Sequence, residues 1–507
     1  MNILKYVIIC LFITMGPAGF VCYAQGINIK QFGAVGDGKT IDTKAIQHAI
    51  DSCSKKRHGK VIIPAGTFLS GSIYLKTGVQ LYLSKGAVLL GSSNPADYEK
   101  TVNYALILAT SQHDIAIKGE GTIDGQGREL AQNVVKMWKA GLLKENTGKD
   151  RPDEKYRPQI IDMEHCSDVT ITGITIKNSS CWVQTYDKCT NLVIGHITVN
   201  STAYWNNDGF DIVDCYKVRI TNCNINSADD GICLKSGDSA ASCNDIYIAD
   251  CRIRSSASAL KFGTASAGGF QHIKVRNLTI FDTYRSAVAL ECVDGGFIKN
   301  IDIKNIKATN TGNAIFIRLG KRRKDRPMGM IDSISIKNVE VHIPVAKPDK
   351  GYEIEGPLDK EHYNTLPSSI VGLPGGKIDH IKLRNINLYY EGGSNTAYAR
   401  RPVDSLAVIP ERPANYPEFT MFGELPAWGF YIRHANSVTL KNVNIVCSKP
   451  DYRPAIIADD ASYFEATKLK VDGQNPKSTA IILKGVKAKR LRKLTIPGGI
   501  GAIHVLP

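Results

Sequence analysis

VTITGITIKNS (Val169–Ser179) is followed by LVIGHITVNS (Leu192–Ser201), VRITNCNINS (Val218–Ser227), IYIADCRIRSS (Ile246–Ser256), IKVRNLTIFDT (Ile273–Thr283) and IDIKNIKATNT (Ile301–Thr311). The starts stand 23, 26, 28, 27 and 28 residues apart, and related segments begin at Ile334, Ile381 and Val438. Each unit carries an apolar–polar–apolar strand, a turn, a second short strand and a more variable third side. One unit cannot cover its own apolar face, but stacked on its neighbours it makes a continuous core. Regular leucines with an asparagine at fixed offset are missing, which excludes a leucine-rich horseshoe. The expected fold is all-β, a right-handed parallel β-helix (a solenoid) with long loop insertions. Asn178, Asn200, Asn226 and Asn277 fall at or near its turns, where amides serve the fold.

Upstream, NIKQFGAVGDGKTIDTKAIQHAIDSC reads as a strand, a glycine-rich turn and a helix near 43–54, opened by Asp42 or Thr43. Ala45, Ile46, Ala49 and Ile50 share one face of it, so the helix must lie on the apolar end of the solenoid. Its GDGKT lacks the spacing of a phosphate-binding loop, which excludes nucleotide binding there. Three stretches interrupt the repeat, roughly 132–158, 347–377 and 391–428; insertions of this size commonly wall a binding face. The last carries Tyr416, Phe419, Phe422 and Trp428, which would either stack on sugar rings or pin the loop. After residue 60 long helical periods are nearly absent.

The first residues, MNILKYVIICLFITMGPAGFVCYAQG, combine Lys5, an apolar run to about Met15 and small residues near Ala24. That pattern predicts a signal peptide over 1–24 and one β-helical catalytic domain over 25–507, secreted or periplasmic. Bulky Val21 before Cys22 argues against a lipid anchor, and no other segment is apolar enough to cross a bilayer. Thirteen cysteines lack zinc-site spacing and recur at strand ends, so the expectation is small buried residues, with one or two disulfides left open. A net charge of +15, densest in RLGKRRKDRP (Arg318–Pro327), suits an anionic partner; export argues against nucleic acid.

Two acidic blocks stand out. WNNDGFDI (Trp205–Ile212) carries Asp208 and Asp211, and NSADDGICLKSG (Asn226–Gly237) carries Asp229 and Asp230. Asp208 and Asp229 differ by 21 residues, about one coil, so they are expected to meet side by side, with Asp230 as a third carboxylate. Like charges held close raise the proton affinity of at least one member, giving an acid and a base from one residue type. Glycoside cleavage needs that pair. The same aspartates could instead cap turns or hold a cation such as Ca²⁺.

With these blocks the chain resembles glycoside hydrolase family 28, the polygalacturonase-like pectin hydrolases, which are parallel β-helices. The resemblance runs from FGAVGDGKTIDTKAIQHAI through GTIDGQG (Gly121–Gly127) and the repeats, and is most specific at NNDGFDI and ADDG. It implies Asp229 as general acid and Asp208 with Asp230 as the residues that hold and deprotonate the attacking water, with inversion at the anomeric carbon. It implies a plant cell-wall polysaccharide or oligosaccharide as partner, and neither metal nor organic cofactor. The family's Gly-His-Gly appears here within SSASALKFG, with Ser258 at the histidine position; His272 is a weak substitute by its phase. The family's Arg-Ile-Lys appears within AVALEC, with Ala289 and Glu291 for the two cations. That loss disfavours galacturonate in the subsite, so simple polygalacturonan is not the expected substrate. Expected binding residues are Asn206, Asp211, Ser258, Lys261, Glu291, Arg318, Trp428 and Arg433, with Lys261, Arg318 and Arg433 as compensating cations. The long loops favour exo action in a blocked groove. A polysaccharide lyase or a non-catalytic glycan-binding β-helix stand as alternatives, and the sequence leaves the oligomeric state open.

Overall fold

Successive repeats pair in parallel, and the pairing joins the starts read from the sequence: Val169, Leu192, Val218, Ile246, Ile273, Ile301, Ile334, Ile381 and Val438 are partners one coil apart. The structure is a computed structural model and describes residues 26–56, 59–99, 104–143, 151–352, 362, 364–376, 378–395, 397, 403–474 and 479–507. The leader expected over 1–24, with Cys22, lies outside the described residues. All strands join one parallel stack, from Ile27–Asn28 to Ile503–Leu506. The chain is a right-handed parallel β-helix.

Alternation along each strand sends every second side chain inward, and parallel register puts like on like. Ile171, Ile194, Ile220, Ile248, Val275, Ile303, Ile336, Leu383 and Leu440 form one such aliphatic row down the interior, and all are buried. Between the two strands of each coil the backbone turns through a left-handed residue: φ is 54° at Asn277, 56° or near it at Asn305 (61°), Asn338 (55°), Asn385 (56°) and Asn442 (55°). Asparagine tolerates that conformation. Stacking then lets each amide donate to the one a coil before it, at 2.8–2.9 Å from Asn305 to Asn442. Asn226 donates to Asn200 in the same way at 2.8 Å.

Helix α1 (Thr43–Ser54) buries Ile46, Ala49, Ile50 and Cys53 over the first coil. The Asp42 carboxylate at its start accepts from the N–H groups of Val35 (2.7 Å) and Gly36 (3.1 Å), so it fixes the glycine turn and does not cap the helix. A second helix, α2 (Gly127–Lys139), departs from the sequence expectation. Leu130, Ala131 and Val134 bury its short apolar face, a stripe too brief to stand out against charged neighbours. The eleven cysteines among the described residues are all free and buried. Cys189 and Cys215 stack in neighbouring coils, the Cys189 N–H lying 3.3 Å from Cys215 Sγ, so the positions hold small core residues and no disulfides.

The third insertion carries its own apolar cluster: Leu406, Ile409, Phe419, Phe422 and Leu425 pack on Phe316, Val371 and Tyr431 on the outside of the sheet. That packing holds the loop against the face that bears the acidic blocks. The interior row predicts the cost of disrupting a coil. Ile303→Ala, flanked by Val275 and Ile336, should cost about 2–5 kcal/mol, seen as a lowered urea midpoint in circular dichroism.

Candidate active site

Asp208 belongs to the loop before strand Phe210–Val213, and Asp229 and Asp230 to the corner before strand Ile232–Ser236. These strands pair Phe210 with Ile232 and Asp211 with Cys233, and the Gly209 N–H donates to the Asp230 carbonyl at 2.8 Å. The coil offset here is therefore 22 residues. Asp208 stacks on Asp230, and Asp229 falls in line with Asn207; the expected Asp208–Asp229 pairing is off by one position. Carboxylate oxygens of Asp208 and Asp230 lie with Cys233 Sγ within 4.8 Å of one another. Asp229 is more exposed than either neighbour. Its backbone is pinned from two coils, with its carbonyl accepting from the Ser227 (2.9 Å) and Ser255 (2.6 Å) hydroxyls.

Two ammonium groups, the buried Lys261 and the half-buried Lys235, neutralise part of this charge. Lys235 reaches Asp208 at 3.1 Å and Asp211 at 2.6 Å, and Lys261 reaches Asp230 at 2.9 Å. The Ser258 N–H also donates to Asp230, at 3.0 Å. Burial alone would raise Asp230, but Lys261 and Arg285 outweigh it and hold its pKa below the usual carboxylate value. Asp229 has no ion-pair partner among the described residues: burial, then the charges of Asp208 and Asp230, outweigh Arg285 and Lys261 and push it to about 7. Asp208 is also raised, by burial above all, because it shares one ammonium with Asp211. The corner thus sets two carboxyls of raised proton affinity, Asp229 and Asp208, beside one carboxylate, Asp230, that is held ionised. As for a metal, the carboxylates that could ligate one already face lysines, and the Cys233 thiol, held protonated by burial, meets the Gly263 carbonyl at 3.1 Å.

Glu291 lies on the same face, 4.0 Å from Lys261 and 3.2 Å from the Thr264 hydroxyl, with burial raising its pKa to about 7. Ser258 sits in the coil after Asp230, so at the position of the family's histidine there is a main-chain donor to Asp230 and no imidazole. His272 is exposed on a turn, against Asn244 at 3.0 Å, away from the site. Asn206 accepts from Arg157 at 2.8 Å, which ties the Asp208 loop to residues 151–158.

Three expected binding residues are otherwise engaged. Trp428 is fully buried against Tyr390, their ring centroids 5.6 Å apart, and cannot stack on a sugar. The Arg318 guanidinium is fully buried and donates to the carbonyls of Gly372 (2.9 Å), Glu411 and Arg412. Arg433 is held by Glu411 at 2.9 Å, Asp459 at 3.3 Å and the Ile409 carbonyl at 2.9 Å. Both arginines clamp the third insertion. Of the aromatics expected from that insertion, Tyr416 does reach the site, its hydroxyl meeting Lys261 at 2.7 Å while its ring stays half exposed, and the insertion adds Glu418, which the sequence did not assign and which pairs with Arg285 at 3.3 Å. On the opposite side Trp182 covers Lys235, 5.0 Å from ring centroid to Nζ. Strand alternation alone could have placed Lys235, two positions from Cys233; nothing local marks Arg285 or Glu418.

The chain belongs to glycosyl hydrolase family 28, whose profile matches residues 53–343. It is similar to a probable polygalacturonase of Vitis vinifera, 28% identical over 319 residues, and to an exo-poly-alpha-D-galacturonosidase of Dickeya chrysanthemi, 31% identical over 258 residues. Those matches cover 59% and 42% of this chain, and 58% and 42% of the relatives' own lengths. Among solved structures it is similar in fold to a hyperthermoactive exopolygalacturonase from Thermotoga maritima (TM-score 0.58, 23% identity, 72% of this chain and 87% of that one). A family 28 exopolygalacturonase from Yersinia enterocolitica gives a TM-score of 0.60 at 18% identity, over 93% of this chain and 78% of that one.

The lysine contacts predict a titration. Replacing Lys261 with Met removes the main charge that keeps Asp230 ionised, so the Asp230 pKa should rise by about 1–3 units. Carboxyl-carbon resonances followed against pH in wild type and variant would read it.

Proposed function

We propose that this protein is a secreted glycoside hydrolase that cleaves a pectic polysaccharide with inversion, at a linkage other than that of simple polygalacturonan. The observation that carries the reading is the split between Asp229, raised to about 7, and its ionised neighbour Asp230. Asp229 donates its proton to the departing glycosidic oxygen. Asp230, stacked on Asp208 across one coil, takes a proton from the water that attacks the opposite face of the ring, and Asp208 helps hold that water. Lys261 keeps the base ionised, while at the acid burial and the charges of Asp208 and Asp230 outweigh it and favour the protonated form.

The substrate side rests on Glu291. Six carboxylates (Asp208, Asp211, Asp229, Asp230, Glu291, Glu418) surround three cations (Lys235, Lys261, Arg285), and each cation already faces an acid. A uronate beside Glu291 would meet a like or neutral group with no uncommitted counter-charge, whereas a sugar ring bearing only hydroxyls can donate to it. Exo action is favoured by two insertions that wall one end of the groove. Tyr416 and Glu418 come from one, and Asp349 of the other receives the Ser256 hydroxyl and pairs with Lys347 at 3.0 Å.

Asp229→Asn should lower turnover of a cleaved pectic fraction by about 10²–10⁴; undiminished activity would remove the proposed acid, and a first product of retained anomeric configuration would remove inversion. Homogalacturonan cleaved faster than every branched or neutral fraction would overturn the substrate reading. Activity should also fall as pH rises through about 7, because the acid must be protonated to act; a profile flat to pH 9 would contradict that.

A further inference from the structure

On a face of the β-helix away from the acidic corner, parallel register lines up cations. Arg276 pairs with Lys304, Lys304 with Lys337, Lys337 with Arg384, and Arg384 with Lys441, each one coil from the next. Thr467 follows, and then Arg492. All these side chains point outward, since the residues on either side of each are buried or turn. Lys304, Arg384, Lys441 and Arg492 are exposed and Lys337 is half-buried. Arg276 is neutralised by Asp302, but none of the other five cations has an ion-pair partner among the described residues.

Adjacent strands lie about 4.8 Å apart, so four successive coils hold like charges directly opposite one another, an arrangement that destabilises a sheet. An ordinary solvated face would alternate sign from coil to coil, and the acids nearby do so: Glu340 lies 3.9 Å from Lys307 and Glu465 4.0 Å from Arg490. The row departs from that rule at every coil from Lys304 to Lys441. Beside it runs an open groove of about 470 Å³, lined by Asn277, Asn305, Asn338 and Asn385 with Lys307 and Glu340. Each ladder amide uses one N–H and one lone pair on its neighbours, leaving the others for a ligand.

We propose that this row and groove bind a linear polyuronate lying along the helix axis, its carboxylates on the cations and its hydroxyls on the amides. One charge per sugar ring matches one cation per coil. A lipid surface supplies anionic headgroups but no hydroxyl-bearing chain to enter a groove, and it would call for a broad patch where the protein has a single file. The inference stands on the stacking register and is independent of the reaction proposed above. Together the two would place an acidic stretch of polysaccharide on one face while another stretch is cut on the other.

The test uses the full chain carrying Asp229→Asn, so that no ligand is consumed, and titrates it calorimetrically with a linear oligogalacturonate at several salt concentrations. Lys304→Gln/Lys337→Gln/Lys441→Gln should weaken binding at least about tenfold at low salt and flatten its salt dependence, as expected when counter-ion release is lost. Lys30→Gln/Lys85→Gln/Lys217→Gln removes the same charge from exposed positions on other parts of the surface and should weaken it less than about threefold by screened long-range effects. Thermal melting checks that both variants fold. Equal loss in the two would reduce the effect to net charge and overturn the site. So would no loss in either, no binding by the parent protein, or row-dependent binding to phosphatidylglycerol vesicles without binding to the oligogalacturonate.

Discussion

Parallel hydrogen bonding between coils is the constraint on which the rest of this molecule depends. It fixes every side chain opposite its counterpart about 4.8 Å away, so any residue type repeated at one position becomes a row. Inside, the row from Ile171 to Leu440 makes the core. At the turns it makes the amide ladder, because asparagine both accepts the left-handed backbone and bonds to its own kind. At the corner before Gly209 and Gly231 it brings Asp208 onto Asp230. A cysteine or a serine stacked this way costs little; a carboxylate stacked on a carboxylate would expel the other's charge unless something opposed it.

What opposes it is a pair of lysines placed by the same register. Lys261 follows Cys233, itself the partner of Asp211, and Lys235 lies two residues beyond Cys233 on the same strand, so each ammonium projects toward the acids from a neighbouring position. Their effect is unequal. Lys261 reaches Asp230 and leaves Asp229 outside its contact, which is why two adjacent residues of one type differ in protonation. Lys235 is divided between Asp208 and Asp211, so neither is fully compensated. The unequal proton affinity of Asp229 and Asp230 therefore comes from where two strands put their lysines, and the aspartates need no difference of their own.

The sequence shows its period plainly because one strand per coil repeats an apolar alternation, and the nine starts of that alternation are the partners in the stack. It shows the acidic blocks for a related reason: aspartates beside glycine at a strand rim break that alternation. It does not show the phase to a single residue, since coil length varies from unit to unit, and so Asp229 was set against Asp208 where Asp230 belongs. Nor does it show what a long insertion does. Arg318, Arg433 and Trp428 carry the chemistry of ligand binding, yet the insertion needs buried donors for its carbonyls and an apolar seat, and it takes all three. Tyr416 enters the site only because that seat is filled, which no local pattern reveals.

The clamp on the insertion has a consequence for how the site is built. Arg318 and, two coils on, the adjacent Arg433 and His434 converge on one short segment, with His434 bonded to Glu411 at 2.9 Å and to Asp460 at 2.7 Å. A histidine with a carboxylate on each nitrogen must donate from both, so it carries a proton there, and those contacts raise its pKa even though its burial opposes the charge. Three cations thus hold a loop whose other end supplies Glu418 to Arg285 and the Tyr416 hydroxyl to Lys261. A solenoid face is open by construction, and a groove with an end must be made from something that is not a coil. Here the coils spend their charges to secure that piece, and the cations that a polyuronate subsite would have used are the ones committed to holding it.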